Sequence, residues 1–218
     1  MSVSITYSNN PQGSPGWRAE RAGRITASRF SDLFSRLKNG SFGAARGNAL
    51  AQITVERLTG APVEVYVNEA MRRGTALEPI AREAYEAHTG RKVTQAGFAT
   101  RVGFPNAGAS VDGLVGDEGI IEIKCPWNLE KHLDAILSGA HAEEYRWQIQ
   151  GCLWITGRRW CDAVSYDDRY PEDMRIAVTR VKRDEDLIAT LARDVAEAEA
   201  KIQEKIEALR NAIQEPWT

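Results

Sequence analysis

The chain has 218 residues, enough for one domain with embellishments and a substantial core. Its 43% hydrophobic and 27% charged residues suit a folded globular protein, and a formal net charge of −2 leaves any nucleic-acid contact to a local basic surface. No apolar run approaches the roughly 20 residues of a membrane span, and MSVSITYSNNPQG lacks the charged-then-apolar order of a signal peptide.

Residues 1–13 read as irregular. Ser14 and Pro15 form a cap and first-turn pair for a short helix through Glu20 and Arg21. Gly23 breaks it, and Thr26 or Ser28 can cap a second helix carrying Phe30, Leu33, Phe34 and Leu37. Lys38 to Gly47, with three glycines, reads as a loop. A third helix over about Ala49–Leu58 ends at Gly60, a left-handed cap. These pieces make a helical part over about residues 14–60. PVEVYV is a short extended segment, after which Asn68 caps Glu69–Arg73. A separate helix over Thr75–Thr89 opens with Thr75-Ala-Leu-Glu78, a capping-box pattern that gives Glu78 a structural reading.

Strands are expected at Lys92–Arg101, Ala107–Val115 and around Glu122. Helices follow at Asn128–Ser138 and Glu143–Thr156, then strands at Arg159–Asp167 and Met174–Lys182, the last at a sheet edge. A long helix over about 184–212 carries an apolar stripe of Leu187, Leu191, Val195, Ala198, Ile202, Ile206, Leu209 and Ile213, expected to pack across the sheet. The order gives an α/β or α+β fold with one mixed sheet flanked by helices, a single domain over 1–218. Cys125, Cys152 and Cys161, odd in number and without C-x-x-C spacing, read as reduced and mostly buried thiols of a cytoplasmic protein.

The chemistry concentrates in GASVDGLVGDEGIIEIKCP, residues 108–126. Strand alternation puts Ile120, Glu122 and Lys124 on one face and Ile121, Ile123 and Cys125 on the other. A three-residue turn at Gly116, Asp117 and Glu118 would bring Asp112 onto the Glu122 face; a two- or four-residue turn would not. Two readings follow. In one, the acids and the lysine pair across a solvated hairpin. In the other, Asp112, Glu122 and the carbonyl of Ile123 hold a divalent cation such as Mg²⁺, with Lys124 beside the attacking water.

Several segments then agree with one family. They are Trp17-Arg-Ala-Glu-Arg21-Ala-Gly-Arg-Ile-Thr-Ala-Ser28, Arg73-Gly-Thr-Ala-Leu-Glu78, Ser110-Val-Asp112-Gly, Glu122-Ile-Lys124-Cys-Pro126, Trp147-Gln148-Ile-Gln150-Gly-Cys-Leu-Trp154 and Tyr166-Asp167. In this order the chain resembles the phage lambda-type exonucleases, also called YqaJ-like viral recombinases, of the PD-(D/E)XK nuclease superfamily. The resemblance spans about residues 16–182. It implies a restriction-endonuclease-like core and a 5′-to-3′ exonuclease of double-stranded DNA, using Mg²⁺ with Mn²⁺ the other candidate metal, that leaves 3′ single strands. It also implies a homotrimeric ring and a single-strand annealing recombinase as partner.

By that resemblance Asp112, Glu122 and Glu78 are metal ligands, Lys124 positions or deprotonates water, and Gln148 faces the site, with Gln150 an equal candidate by residue type. Arg21 and Ser28 engage a terminal 5′ phosphate. The alternative for Arg21 is an ion pair with a nearby acid or plain solvation. Val111 stands where the superfamily's name has proline, and Arg101–Ala109 lacks the further acid that some relatives carry. The rival functions are another PD-(D/E)XK endonuclease and a non-cleaving DNA-end-binding protein of the same fold. Three scattered cysteines argue against an iron–sulfur nuclease.

Overall fold

Two sheets, where the sequence suggested one, divide the strands of this chain. The computed structural model describes residues 4–64 and 66–213. The first sheet has the order β1 (Ile5–Tyr7), β4 (Ala99–Arg101), β5 (Phe104–Ala109) and β2 (Ile25–Thr26); β2 runs parallel to β5 and the other pairs are antiparallel. The second has the order β3 (Val93–Thr94), β6 (Gly113–Val115), β7 (Gly119–Lys124), β8 (Trp160–Tyr166) and β9 (Ile176–Lys182). Only β7 and β8 are parallel in it, joined by a helical crossover, and β9 closes an edge as expected.

The expected strands Lys92–Arg101 and Ala107–Val115 each break in two, and their halves feed different sheets. The first break falls at 95–98, where Gly97 lies so close to Ser8 that a Cβ would meet its carbonyl oxygen at 2.1 Å. The second, at Ser110–Asp112, is the segment that hands the chain from one sheet to the other. The expected three-residue turn is present: Val115 pairs with Gly119, and Gly116 takes φ +53°.

The helices show the same mixture of agreement and correction. Ser14 caps α1 (Pro15–Arg21), accepting from Trp17 N. The second helix is shorter than its apolar pattern suggested. Ala27–Arg29 form a 3-10 turn, α2 spans Phe30–Phe34, Thr26 makes no side-chain cap, and Leu37 is exposed beyond the end. α3 (Ala45–Thr59) begins four residues early, so Gly47 is helical, and it ends at Gly60 with φ +69°. The described residues of PVEVYV form no strand, and Val65 lies outside the described residues. α6 (Ala140–Glu144) and α7 (Arg146–Thr156) replace one expected helix, with a break at Tyr145.

The largest correction is α4, one helix over Glu69–Thr89 capped by Asn68. Thr75 is not a cap, since its hydroxyl donates back to the Met71 carbonyl at 3.1 Å. The helix continues through Pro79, whose missing N–H leaves only the Thr75 carbonyl without its helical donor.

α5 (Leu129–Ser138) follows β7, and α8 (Glu185–Ala212) ends the described chain. Its buried stripe is Ile188, Leu191, Val195, Ala198, Ile202 and Ile206, whereas Leu209 and Ile213 are exposed. It packs on α3, α7 and α2, not across the sheet. Arg57–Glu199, Arg46–Glu197 and Arg36–Asp194 ion pairs fasten it to α3 and to the segment after α2.

One core, containing Phe30, Ile53, Ile120, Leu153 and Ile202, lies on the Ile120 face of the five-stranded sheet. The other, with Leu77, Ala81 and Tyr85 of α4 against Ile121, Ile123 and Val164, covers the opposite face. All three cysteines are free, two of them buried. Among the described residues no helix is long and apolar enough to cross a membrane.

Candidate active site

Asp112 stands at the entrance to β6, one residue beyond the Gly113–Ile121 pair, and so opposite Glu122. Gly113 is required beside it, because a Cβ there would meet Val93 Cγ1 at 2.1 Å. The Asp112 carboxylate accepts the backbone N–H of Ile123 at 2.6 Å, which ties it to β7. Glu122 is 2% exposed. Its Oε1 accepts Lys124 Nζ at 2.6 Å and the amide of Gln148 from α7, while its Oε2 is buried with no partner. Lys124 also donates to Gln148 Oε1 at 3.3 Å and lies 4.6 Å from the centre of the Tyr145 ring.

The structure thus separates the two glutamines. Gln148 enters the site, whereas Gln150 donates to the Lys182 carbonyl and accepts from Asp184 N. Glu78 arrives from the opposite layer on α4 and is not a helix cap. It accepts from Arg82 at 2.7 Å, and Arg82 donates in turn to the Asp112 carbonyl at 3.2 Å.

The electrostatics are unbalanced. Burial, then Glu122 and Glu78, push the Asp112 carboxyl well above its ordinary range. Burial alone would lower the Lys124 ammonium, but the Glu122 and Asp112 carboxylates outweigh it and hold it above its usual value. One ammonium therefore serves two enclosed carboxylates that also repel each other. Among the described residues no three His, Cys, Asp or Glu side chains converge as a metal cluster, and Glu78 is turned to Arg82. The Asp112–Glu122 pair still fits a hard divalent cation, which needs only one or two protein carboxylates. The unpartnered, buried Glu122 Oε2 is the atom that such an ion would satisfy.

A second cluster lies on the other side of Asp112. Arg21 donates to Ser28 Oγ at 3.0 Å and to Ser110 Oγ at 2.9 Å, with its guanidinium 4.4 Å from the centre of the Trp17 ring. Trp17 Nε1 also donates to Ser110. Arg21 has no carboxylate partner among the described residues, and burial followed by the neighbouring Arg29 lowers it to about 10. The sequence did not single out Ser110 by itself, although it opens the Ser110-Val-Asp112-Gly segment.

Arg73 and Asp167, quoted above only as members of matched segments, form a third group whose pairing the sequence does not show. Asp167, 0% exposed at the end of β8, accepts Arg73 at 2.9 Å and both Nε and a terminal nitrogen of Arg169, at 2.8 and 2.7 Å. Both arginines also donate to the Pro126 carbonyl, at 3.2 and 3.1 Å. This knot ties α4, the turn after β7 and the turn after β8 together, and so fixes Glu78 relative to Lys124. Between them opens a cleft of about 490 Å³, lined by Asn68, Thr75, Glu78, Lys124, Trp127 and Tyr145 among others.

The chain and its fold match known proteins. The YqaJ-like viral recombinase domain model matches residues 16–159. The crystal structure of an alkaline exonuclease, LHK-Exo from Laribacter hongkongensis, is 42% identical, covers 92% of this chain and 98% of its own, and superposes with a TM-score of 0.83. LHK-Exo in complex with dAMP gives 0.84 at the same identity and coverage. A phage-related exonuclease from Haemophilus somnus 129PT, at 17% identity, covering 85% of this chain and 96% of its own, shares the fold with a TM-score of 0.70. No curated protein matches the chain. The family model covers most of the chain and the LHK-Exo match nearly all of it, so the chain belongs to the YqaJ-like viral recombinase family.

Proposed function

We propose that the chain is a Mg²⁺-dependent exonuclease that consumes one strand of duplex DNA from its 5′ end. It leaves a 3′ single strand for an annealing-type recombinase. The observation that carries this reading is the Asp112–Glu122–Lys124 constellation, with an unpartnered buried Glu122 Oε2. Membership of a family whose similar structure is an alkaline exonuclease supports it.

Asp112, Glu122 and the carbonyl of Ile123 would hold Mg²⁺ or Mn²⁺, with Glu78 joining if it leaves Arg82. When bound, the cation supplies positive charge against the charge developing on the phosphodiester and makes water more acidic. Lys124, fixed by Glu122 and Gln148, positions the attacking water and can exchange a proton with it. Arg21, Ser28 and Ser110 hold the terminal 5′ phosphate with a planar guanidinium and hydroxyl donors. Residues 1–218 act as one nuclease domain in this reading, the helices over 14–60 and 184–212 being its supports.

The homotrimeric ring, the annealing partner and a cytoplasmic setting belong to the same proposal. The apolar face of α5, with Leu129, Leu133, Ile136 and Leu137 exposed, leaves surface for contacts of that kind.

The test is incubation of linear and closed circular duplex DNA with and without Mg²⁺. Linear DNA should disappear from its 5′ ends only with the metal, and circles should survive. Cut circles would make the chain an endonuclease. Bound but intact ends would make it an end-binding protein.

A further inference from the structure

The chain has six tryptophans, and the fold employs four of the five that it describes. Trp17 donates to Ser110 and carries Arg21 on its ring. Trp147 packs against the larger core, Trp154 lies buried between Phe30 and Phe104, and Trp160 carries Arg180 at 3.8 Å. Trp217 lies outside the described residues.

Trp127 is the exception. The residue is 51% exposed, and among the described residues its ring has neither an aromatic nor a cationic partner and its indole N–H finds no acceptor. An exposed indole costs burial that the chain could otherwise gain. Its position is also unusual. It comes three residues after Lys124, in the turn between β7 and α5, and lines the cleft that holds Lys124 and Glu78. Arg169 donates to its carbonyl at 3.0 Å, and Arg73 and Arg169 both hold Pro126 before it. The backbone beneath the indole is thus pinned, so the ring is presented at low entropic cost.

A flat apolar ring on a fixed support, beside the group that handles the scissile phosphate, matches one ligand chemistry well. We propose that Trp127 is a nucleobase-stacking platform, taking the base of a nucleotide next to the phosphodiester that is cut. Stacking of this kind tolerates any base, because every base has a π-face. It suits an enzyme that must remove nucleotides regardless of sequence. The inference rests on the nuclease reading above. It adds a DNA contact in the cleft that Lys124 and Glu78 line.

The experiment uses 5′-phosphorylated linear duplexes carrying one abasic tetrahydrofuran residue at the first, second or third position from the 5′ end. Single-turnover cleavage with Mg²⁺ is measured for wild type, Trp127→Ala and Trp127→Phe. Wild type should slow by on the order of tenfold at one of these positions. Trp127→Ala should show that loss on the intact duplex and no further loss on the abasic one. Trp127→Phe should restore most of the rate and the sensitivity. The stacking proposal is overturned if Trp127→Ala cleaves intact duplex at the wild-type rate, or keeps the full abasic penalty. It is overturned equally by a wild type that cleaves without abasic sensitivity. A wild type that leaves every duplex intact refutes the nuclease reading itself.

Discussion

Two charged clusters adjoin the end of β7 in this protein and are built on opposite principles. In the Arg73–Asp167–Asp168–Arg169 knot, two guanidiniums meet two carboxylates, and the remaining donors go to the Pro126 and Trp127 carbonyls. In the Asp112–Glu122–Lys124 cluster, two enclosed carboxylates share one ammonium and Glu122 Oε2 has nothing. Arg21, with hydroxyl partners and no acid, is the mirror case of positive charge. A cluster that satisfies itself holds the fold together. One that does not is a candidate ligand site, on the proposed reading a cation at one cluster and a phosphate at the other.

Substitution should separate the two kinds of cluster. The largest effect is expected at the unbalanced one: Lys124→Ala should lower cleavage by on the order of 10³-fold while leaving binding of DNA ends largely intact. Asp112→Ala should lose cation binding, followed by calorimetry, together with cleavage. Near-normal turnover in either variant would return the hairpin to a set of ordinary cross-strand ion pairs.

The knot should answer in stability. Asp167→Asn removes the buried carboxylate that the part-exposed Arg73 and Arg169 share and should cost about 1–3 kcal/mol in a urea melt. Burial alone would raise the Asp167 carboxyl, but hydrogen bonds from Arg169 and the charge of Arg73 outweigh it and hold it low. A folded value below the unfolded one stabilises fully above the unfolded pKa. That contribution is lost as pH falls through the folded value. The gap between wild type and Asp167→Asn should therefore narrow below about pH 4. A gap that is constant with pH would mean that the variant acts through packing instead.

Arg21→Ala comes next. Duplexes ending in 5′ phosphate should be degraded about tenfold faster than those ending in 5′ hydroxyl, and this variant should erase most of the difference. An enzyme indifferent to the 5′ group would remove the phosphate assignment and leave the metal site standing.

The smallest effect has the opposite sign. Asp112→Asn keeps an acceptor for Ile123 N but removes an enclosed charge that burial and Glu122 disfavour, so in metal-free buffer it should melt higher than wild type. A lower melting point would show that Asp112 is already balanced without a cation.

The sequence made local chemistry legible and long-range closure less so. The three-residue turn, the Glu122–Lys124 face and the glycine cap at Gly60 follow from periods of two and from backbone conformations favouring glycine, and all are present. The local pattern alone gives Glu78 a cap reading, because Thr75-Ala-Leu-Glu78 carries the right letters inside a helix that has already begun at Glu69; only the family resemblance marks it as a site acid. Local pattern cannot tell a start from an interior. The strand breaks at 95–98 and 110–112 depend on which sheet each half joins, a choice made by partners far along the chain. Asp167 and Arg73 are 94 residues apart, so no spacing rule could pair them. Gln148 and Gln150 are alike by type. Where α7 faces Glu122 decides between them.

The passage from Ser110 to Asp112 has a consequence for the size of each bite. One end of this link touches Arg21 and the other lies opposite Glu122. Two residues can separate them by at most roughly 7 Å of chain, comparable to the spacing of neighbouring phosphates along one strand. Strand pairing on either side, β5 in one sheet and β6 in the other, holds both ends. On the proposed reading, with the end phosphate at Arg21 and the cation at Asp112, this short link would act as a ruler, and mononucleotides are the expected product. Lengthening the ruler by one glycine after Ser110 should leave some cleavage, release longer fragments and blunt the response to the 5′ phosphate.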